Sequence, residues 1–157
     1  MVIERRPLMM HIPVPWVFVL AYFVGLIPQA YFPVELSPAT HHLFRVAGFV
    51  LLPAGVALAA WCLTIFRRQR TTTIPGEQSR ALVTWGPYRF SRNPMYVSLT
   101  LAYLGEAGLL VQVWPLLPLA AVLGYLNWTV IPIEEARLQE TFGQVYTEYR
   151  TNVRRWI

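Results

Sequence analysis

Apolar positions in this chain fall into four long runs, and the breaks between them are short and polar. The first, "IPVPWVFVLAYFVGLIPQAYF" (12–32), matches the ~20 residues a helix needs to cross the hydrocarbon core of a bilayer. Pro28 predicts a kink near its outer end, which membrane helices tolerate. The second, "LFRVAGFVLLPAGVALAAWCLTIF" (43–66), is long enough to cross with tilt and carries Arg45 near its start. The third runs from Pro94 to Val113 with one acid, Glu106. The fourth, "WPLLPLAAVLGYLNWTVIPI" (114–133), stops at the pair Glu134-Glu135. This pattern predicts one all-α domain over 1–157, a polytopic membrane helical bundle of about four transmembrane helices.

Beyond the fourth run the periodicity changes. Leu138, Phe142, Val145 and Tyr149 recur at spacings of 4, 3 and 4, which predicts an amphipathic helix over 134–155 with its apolar stripe on those residues. Such a helix lies along the interface or caps the bundle. Gly143 interrupts it, at a cost of about 1 kcal/mol relative to Ala, and marks a break. "TTTIPGEQSR" (71–80) is the one loop-like segment.

Composition agrees with a membrane protein: 55% of the 157 residues are hydrophobic, only 13% are charged, and mean hydropathy is +0.42. The net charge of +5 comes from 13 Arg and 8 Glu, with neither Lys nor Asp present. Twelve of the 13 arginines fall on one side of a four-span topology: Arg5 and Arg6, six between 67 and 93, and Arg137, Arg150, Arg154 and Arg155. Only Arg45 falls on the other. The positive-inside rule then expects both termini and the 67–93 segment in the cytoplasm. The expected location is a bacterial inner membrane. The basic balance reads as loop charge, and no nucleic-acid partner is expected. A signal peptide is the alternative for the first run, but its length, its prolines and its lack of a small-x-small cleavage site favour a span.

The lone Cys62 excludes a disulfide or a cysteine-based zinc site within one chain. His41 and His42 are adjacent and cannot share a helix face, His11 sits at a span boundary, and no metal site is expected. Phosphate loops and nucleophile elbows are absent. Glu106, ~18 Å along its helix, is an ionisable group within a span and reads either as a structural partner or as a functional residue. The densest polar grouping is cytoplasmic: Arg80, Tyr88, Arg89, Arg92, Asn93, Tyr96, Glu134 and Glu135. Composition alone makes these interfacial anchors, with the acids favoured at a helix start.

Order and spacing say more. "LVTWGPYRFSRNPMY" (82–96) followed by "EEARLQETFGQVYTEYRTNVRRW" (134–156) resembles the isoprenylcysteine carboxyl methyltransferase family, and more distantly the phospholipid N-methyltransferases. The family pattern is roughly L-V-T-x-G-x-Y, then R-H-P-x-Y, then E-E with F-G-x-x-Y-x-x-Y. The resemblance covers residues 72–156, about half the chain.

The resemblance implies an integral membrane methyltransferase that uses S-adenosylmethionine and releases S-adenosylhomocysteine. The 67–93 and 134–157 segments would close a cofactor pocket at the cytoplasmic interface. Cofactor-binding positions carried over from the family are Leu82, Val83, Tyr88, Asn93, Pro94, Met95, Tyr96 and Glu134. Candidates for catalysis are Arg89, Arg92 and Arg137. The partners implied are the lipid bilayer and a lipophilic acceptor methylated on O, N or S that enters from it. Two positions depart from the family. Asn93 stands where the family has His, so this side chain cannot exchange a proton near neutral pH. Val130 stands where the prenylcysteine enzymes carry an Arg implicated in holding the substrate carboxylate. Those departures keep open an inactive binding or scaffold protein, and Glu106 keeps open a small transporter subunit.

Overall fold

The computed structural model describes residues 13–69 and 82–157. The readings at Arg5, Arg6, His11, Arg70, Arg80 and the 71–80 loop lie outside the described residues. Six α-helices carry the rest: α1 (Val14–Tyr31), α2 (Pro38–Gln69), α3 (Pro94–Leu109), α4 (Leu116–Tyr125), α5 (Ile131–Phe142) and α6 (Gln144–Asn152). A 3-10 turn, Gly86–Arg89, precedes α3, and a π-helical turn, Leu126–Val130, joins α4 to α5. Three rods are long and apolar enough to cross a membrane: Val14–Tyr31, Pro38–Arg68 and Leu116–Phe142. α3 has 16 residues, which is ~24 Å.

α1 shows why these helices suit lipid. Val14, Phe18, Tyr22 and Gly25 are buried at helical spacing, while Trp16, Leu20, Phe23, Val24 and Ile27 are exposed. A helix apolar on every side needs a solvent as apolar as itself. Its buried face joins Tyr96, Tyr103 and Ala107 of α3, Leu119 and Val122 of α4, Leu126 and Ile131 in one core.

α2 meets α3 through small residues. A Cβ on Gly105 would run into the backbone of Leu52, one on Gly48 into Leu109, and one on Gly55 would lie 2.6 Å from the amide nitrogen of Ala102. The glycines of the second span therefore serve contact within the chain, where backbones pack without the hydrophobic drive available in water.

Two expectations are corrected. The third span does not reach Val113: α3 ends at Leu109, where Val111 takes a left-handed φ of 54°. The amide of Gln112 bonds the carbonyl of Ala107 at 2.8 Å, and that of Val111 bonds Gly108 at 3.1 Å. This is the paired closure usually built on glycine. The fourth span and the tail helix are also not separate elements. α4, the π turn and α5 form one rod through Glu134-Glu135 as far as Phe142. The predicted break at Gly143 is present, with φ 54°. That break turns α6 relative to α5, so Tyr146 is fully buried while Val145 of the predicted stripe is 61% exposed.

At one end of the bundle, Gln29 Oε1 accepts the amides of Val113 and Trp114, and Trp114 Nε1 donates to the Phe32 carbonyl. At the opposite, arginine-rich end, Arg92, Arg150, Arg154 and Arg155 come together.

Candidate functional site

The segment before α3 is shaped by its own sequence. Gly86 turns the chain at φ 64°, and a side chain there would press on Ile65. Pro87 begins a 3-10 turn in which the amides of Phe90 and Ser91 both bond its carbonyl. The turn directs Tyr88 inward, where it and Val83 are buried against Cys62 and Ile65 of α2, with Met95 and Phe66 alongside. The Phe66 and Tyr88 rings meet edge to face at 5.7 Å. Burial pushes the Tyr88 phenol well above its ordinary 10.0, and neighbouring Cys62, Tyr149 and Glu134 add to the rise. Tyr149, likewise raised by burial, donates its hydroxyl to the Tyr88 carbonyl at 2.8 Å.

Pro94 opens α3 from a position where its missing N–H costs nothing. Two residues on, the Tyr96 hydroxyl donates to Glu134 Oε1 at 2.7 Å, joining the start of α3 to the start of α5. Tyr96 is buried and Glu134 half-buried. Val83, Tyr88 and Met95 thus share one cluster, Tyr96 and Glu134 form a bonded pair, and Leu82 is half-buried beside Val83.

Asn93 lies between these groups but turns its amide elsewhere: Nδ2 donates to the Arg155 carbonyl at 2.9 Å. Of the three candidate arginines, Arg89 is exposed and Arg137 half-buried. Arg92 is nine-tenths buried and occupied. Its Nη2 donates to Glu135 Oε1 at 2.8 Å, its Nη1 to the Arg150 carbonyl at 2.9 Å, and its backbone amide to the Arg154 carbonyl. Its Nε is buried with no partner among the described residues. A guanidinium engaged in this way ties the entry of α3 to α5 and α6.

The structure gives Glu135 of the polar grouping its partners, and adds Arg155, Asn127 and Trp156, which the sequence reading left out of that grouping. Glu135 is held from both sides, since Arg155 Nε and Nη2 bond Oε1 and Oε2 at 3.2 and 2.8 Å. Arg155 Nη1 also reaches the backbone carbonyl and Oδ1 of Asn127, at 3.3 and 3.4 Å, and Trp156 Nε1 bonds the same Oδ1. The π turn explains the free carbonyl. Ile131 bonds Leu126, five residues back, and in that register Asn127 awaits residue 132, a proline without an N–H. An asparagine inside an apolar run was the available signal, as was an arginine in the terminal "RRWI".

Glu106 is exposed on α3 while its neighbours Gly105, Ala107 and Gly108 are buried. His41 and His42 are exposed near the start of α2, and Val130 packs against the apolar core.

The family model for phospholipid methyltransferases matches residues 43–145, a stretch that includes most of α2 and Tyr88, Asn93, Tyr96 and Glu134. The chain belongs to the phospholipid methyltransferase family. That family is part of the group of integral membrane methyltransferases that includes the isoprenylcysteine carboxyl methyltransferases. No curated protein and no solved structure matches the chain.

Proposed function

We propose that the protein transfers a methyl group from S-adenosylmethionine to a lipophilic acceptor at the arginine-rich end of the bundle. The observation that carries this is the Tyr96–Glu134 hydrogen bond, made between two segments of a phospholipid methyltransferase chain, with the buried Tyr88 near enough to feel the Glu134 charge. When bound, S-adenosylmethionine supplies an electrophilic methyl on a sulfonium.

The residues present fit that molecule. Tyr96 donates to Oε1 of Glu134, and a carboxylate has further acceptor capacity that would suit ribose hydroxyls or the ammonium. Val83, Leu82 and Met95 offer apolar surface for adenine. The tyrosine rings suit an onium group. Deep burial keeps the Tyr88 phenol neutral and its surroundings poor in water. These residues bind, orient and exclude water; alignment of donor and acceptor supplies most of the rate.

In this reading α3, though short by a turn, is a fourth crossing. The arginine-rich end faces the cytoplasm in this reading, as the asymmetry of arginines along the sequence favours. The 82–93 segment and the tail close the pocket, and the acceptor enters between helices from the bilayer. Val130, an apolar side chain in the π turn, favours an acceptor without a carboxylate. The family match puts a phospholipid amine first among candidates.

The test is transfer of a labelled methyl from S-adenosylmethionine into extracted host membranes, followed by identification of the labelled lipid. Label in a lipid fraction, lost on Glu134→Ala, is the expected result. Binding of S-adenosylhomocysteine without transfer would indicate the inactive binding protein, and neither binding nor transfer would end the methyltransferase reading.

A further inference from the structure

We infer that Arg155 is a positioning residue for the donor site, setting the separation between Tyr96 and Glu134; this rests on the donor-site reading above. The two ends of this one residue engage two different elements. Its carbonyl accepts Asn93 Nδ2 at 2.9 Å and the Ser91 hydroxyl at 3.4 Å, which fixes the entry to α3 three residues ahead of Tyr96. Its guanidinium bonds both oxygens of Glu135, the residue after Glu134, and reaches Asn127 in the π turn.

A guanidinium is a rigid, planar fork, so those contacts fix orientation as well as distance. Arg92 closes the ring through its bonds to Glu135 and to the Arg154 carbonyl. Arg155 touches neither Tyr96 nor Glu134. It holds the residue beside one and the helix start beside the other, and the outcome is a 2.7 Å bond between the two. A carboxylate held by such an outer contact loses affinity for its ligand when the contact goes, typically by ~10–100-fold at metal sites.

The experiment is calorimetric titration of S-adenosylhomocysteine into the full chain in lipid nanodiscs, as a cycle of wild type, Arg155→Ala, Tyr96→Phe and the double variant. Arg155→Ala is expected to weaken binding about 10-fold. The double variant should lose less than the product of the single losses, because both changes act through the same pair. The exposed Glu140→Ala serves as the unchanged control. Wild-type affinity in Arg155→Ala, or losses that multiply, overturn the inference: a residue that only stabilises the fold lowers the melting temperature without coupling to Tyr96. If Arg155→Ala does not fold, Arg155→Lys enters the same cycle with the same criteria. Absence of binding by the wild type removes the donor-site reading and the inference with it. A binding wild type with an unaffected Arg155 variant removes the inference alone.

Discussion

Asn93 Nδ2 and the carbonyl of Arg155 are joined at 2.9 Å across 62 residues of sequence. That bond says what position 93 requires, which is a donor N–H at the entrance to α3. A neutral imidazole has one too. The departure from the family histidine is therefore conservative in hydrogen bonding even though it removes proton exchange.

Asn93→His should accordingly fold and bind S-adenosylhomocysteine within a few-fold of wild type, whereas Asn93→Leu should fail to anchor the tail. Leu leaves the Arg155 carbonyl with only the long Ser91 contact, at a cost of about 1–3 kcal/mol. Chemical unfolding in detergent and calorimetric titration check both. A leucine variant as stable as wild type would show that the tail is held without this amide.

Glu135 carries the second prediction. It is 7% exposed and bonded to two guanidiniums, so Glu135→Ala leaves two arginines facing each other with little water. The expected loss is about 3–5 kcal/mol. Glu148→Ala, on the exposed face of α6, should be within ±0.5 kcal/mol of wild type. Denaturant titration of the two variants side by side gives the comparison.

The apolar runs already carried the bundle and three of its rods, because burial in lipid requires unbroken hydrophobic length and little else. The Tyr96–Glu134 pairing was also foreshadowed, since the resemblance assigns both motifs to one pocket and such motifs must converge. Other features had no local signature. α3 closes on a valine rather than a glycine, so nothing marked Leu109 as its end. The rod passes through Glu134-Glu135 because those acids find partners inside the protein, Tyr96 for one and two arginines for the other. A hydropathy reading treats the same pair as a boundary. The terminal arginine was a signal without a partner in the sequence, because the contacts of Arg155 lie 20 to 62 residues away.

Gly105 offers a packing test. A Cβ there collides with the Leu52 backbone, which cannot move independently of α2. Gly105→Ala should cost about 1–3 kcal/mol by forcing α2 and α3 apart, and Gly105→Val more. Gly143→Ala meets no neighbour within 4 Å, so its cost should come from the backbone alone, whose φ of 54° and ψ of −124° disfavour any side chain by about 1–3 kcal/mol. Thermal unfolding in a single detergent ranks the three.

Alkaline pH should weaken the link between α6 and the 3-10 turn. Burial raises the Tyr88 and Tyr149 phenols above the ordinary 10.0, so the folded chain favours their neutral forms more than the unfolded chain does. The unfolded state releases these protons first. The stabilisation is therefore complete below pH 10 and declines as pH rises through the folded values. Tyr149→Phe, which lacks the hydroxyl donated to Tyr88, should be less stable at neutral pH and show a shallower decline above pH 10. Equal slopes for the two proteins would mean that Tyr149 does not contribute to the alkaline transition.

Val111 places a β-branched side chain where the closing turn of α3 needs left-handed backbone. That conformation costs an L-residue about 1–2 kcal/mol, while glycine adopts it freely. Val111→Gly should relieve the strain and lose only a half-buried side chain, for a net gain of about 0.5–1 kcal/mol. Val111→Ala makes the sharper comparison, because it removes the same methyls yet keeps the Cβ that creates the strain. It should be less stable than the glycine variant and no more stable than wild type. The order Gly above Val, with Ala at or below Val, identifies backbone strain as the cause. The reverse order would mean that the Val111 side chain holds the turn through its packing.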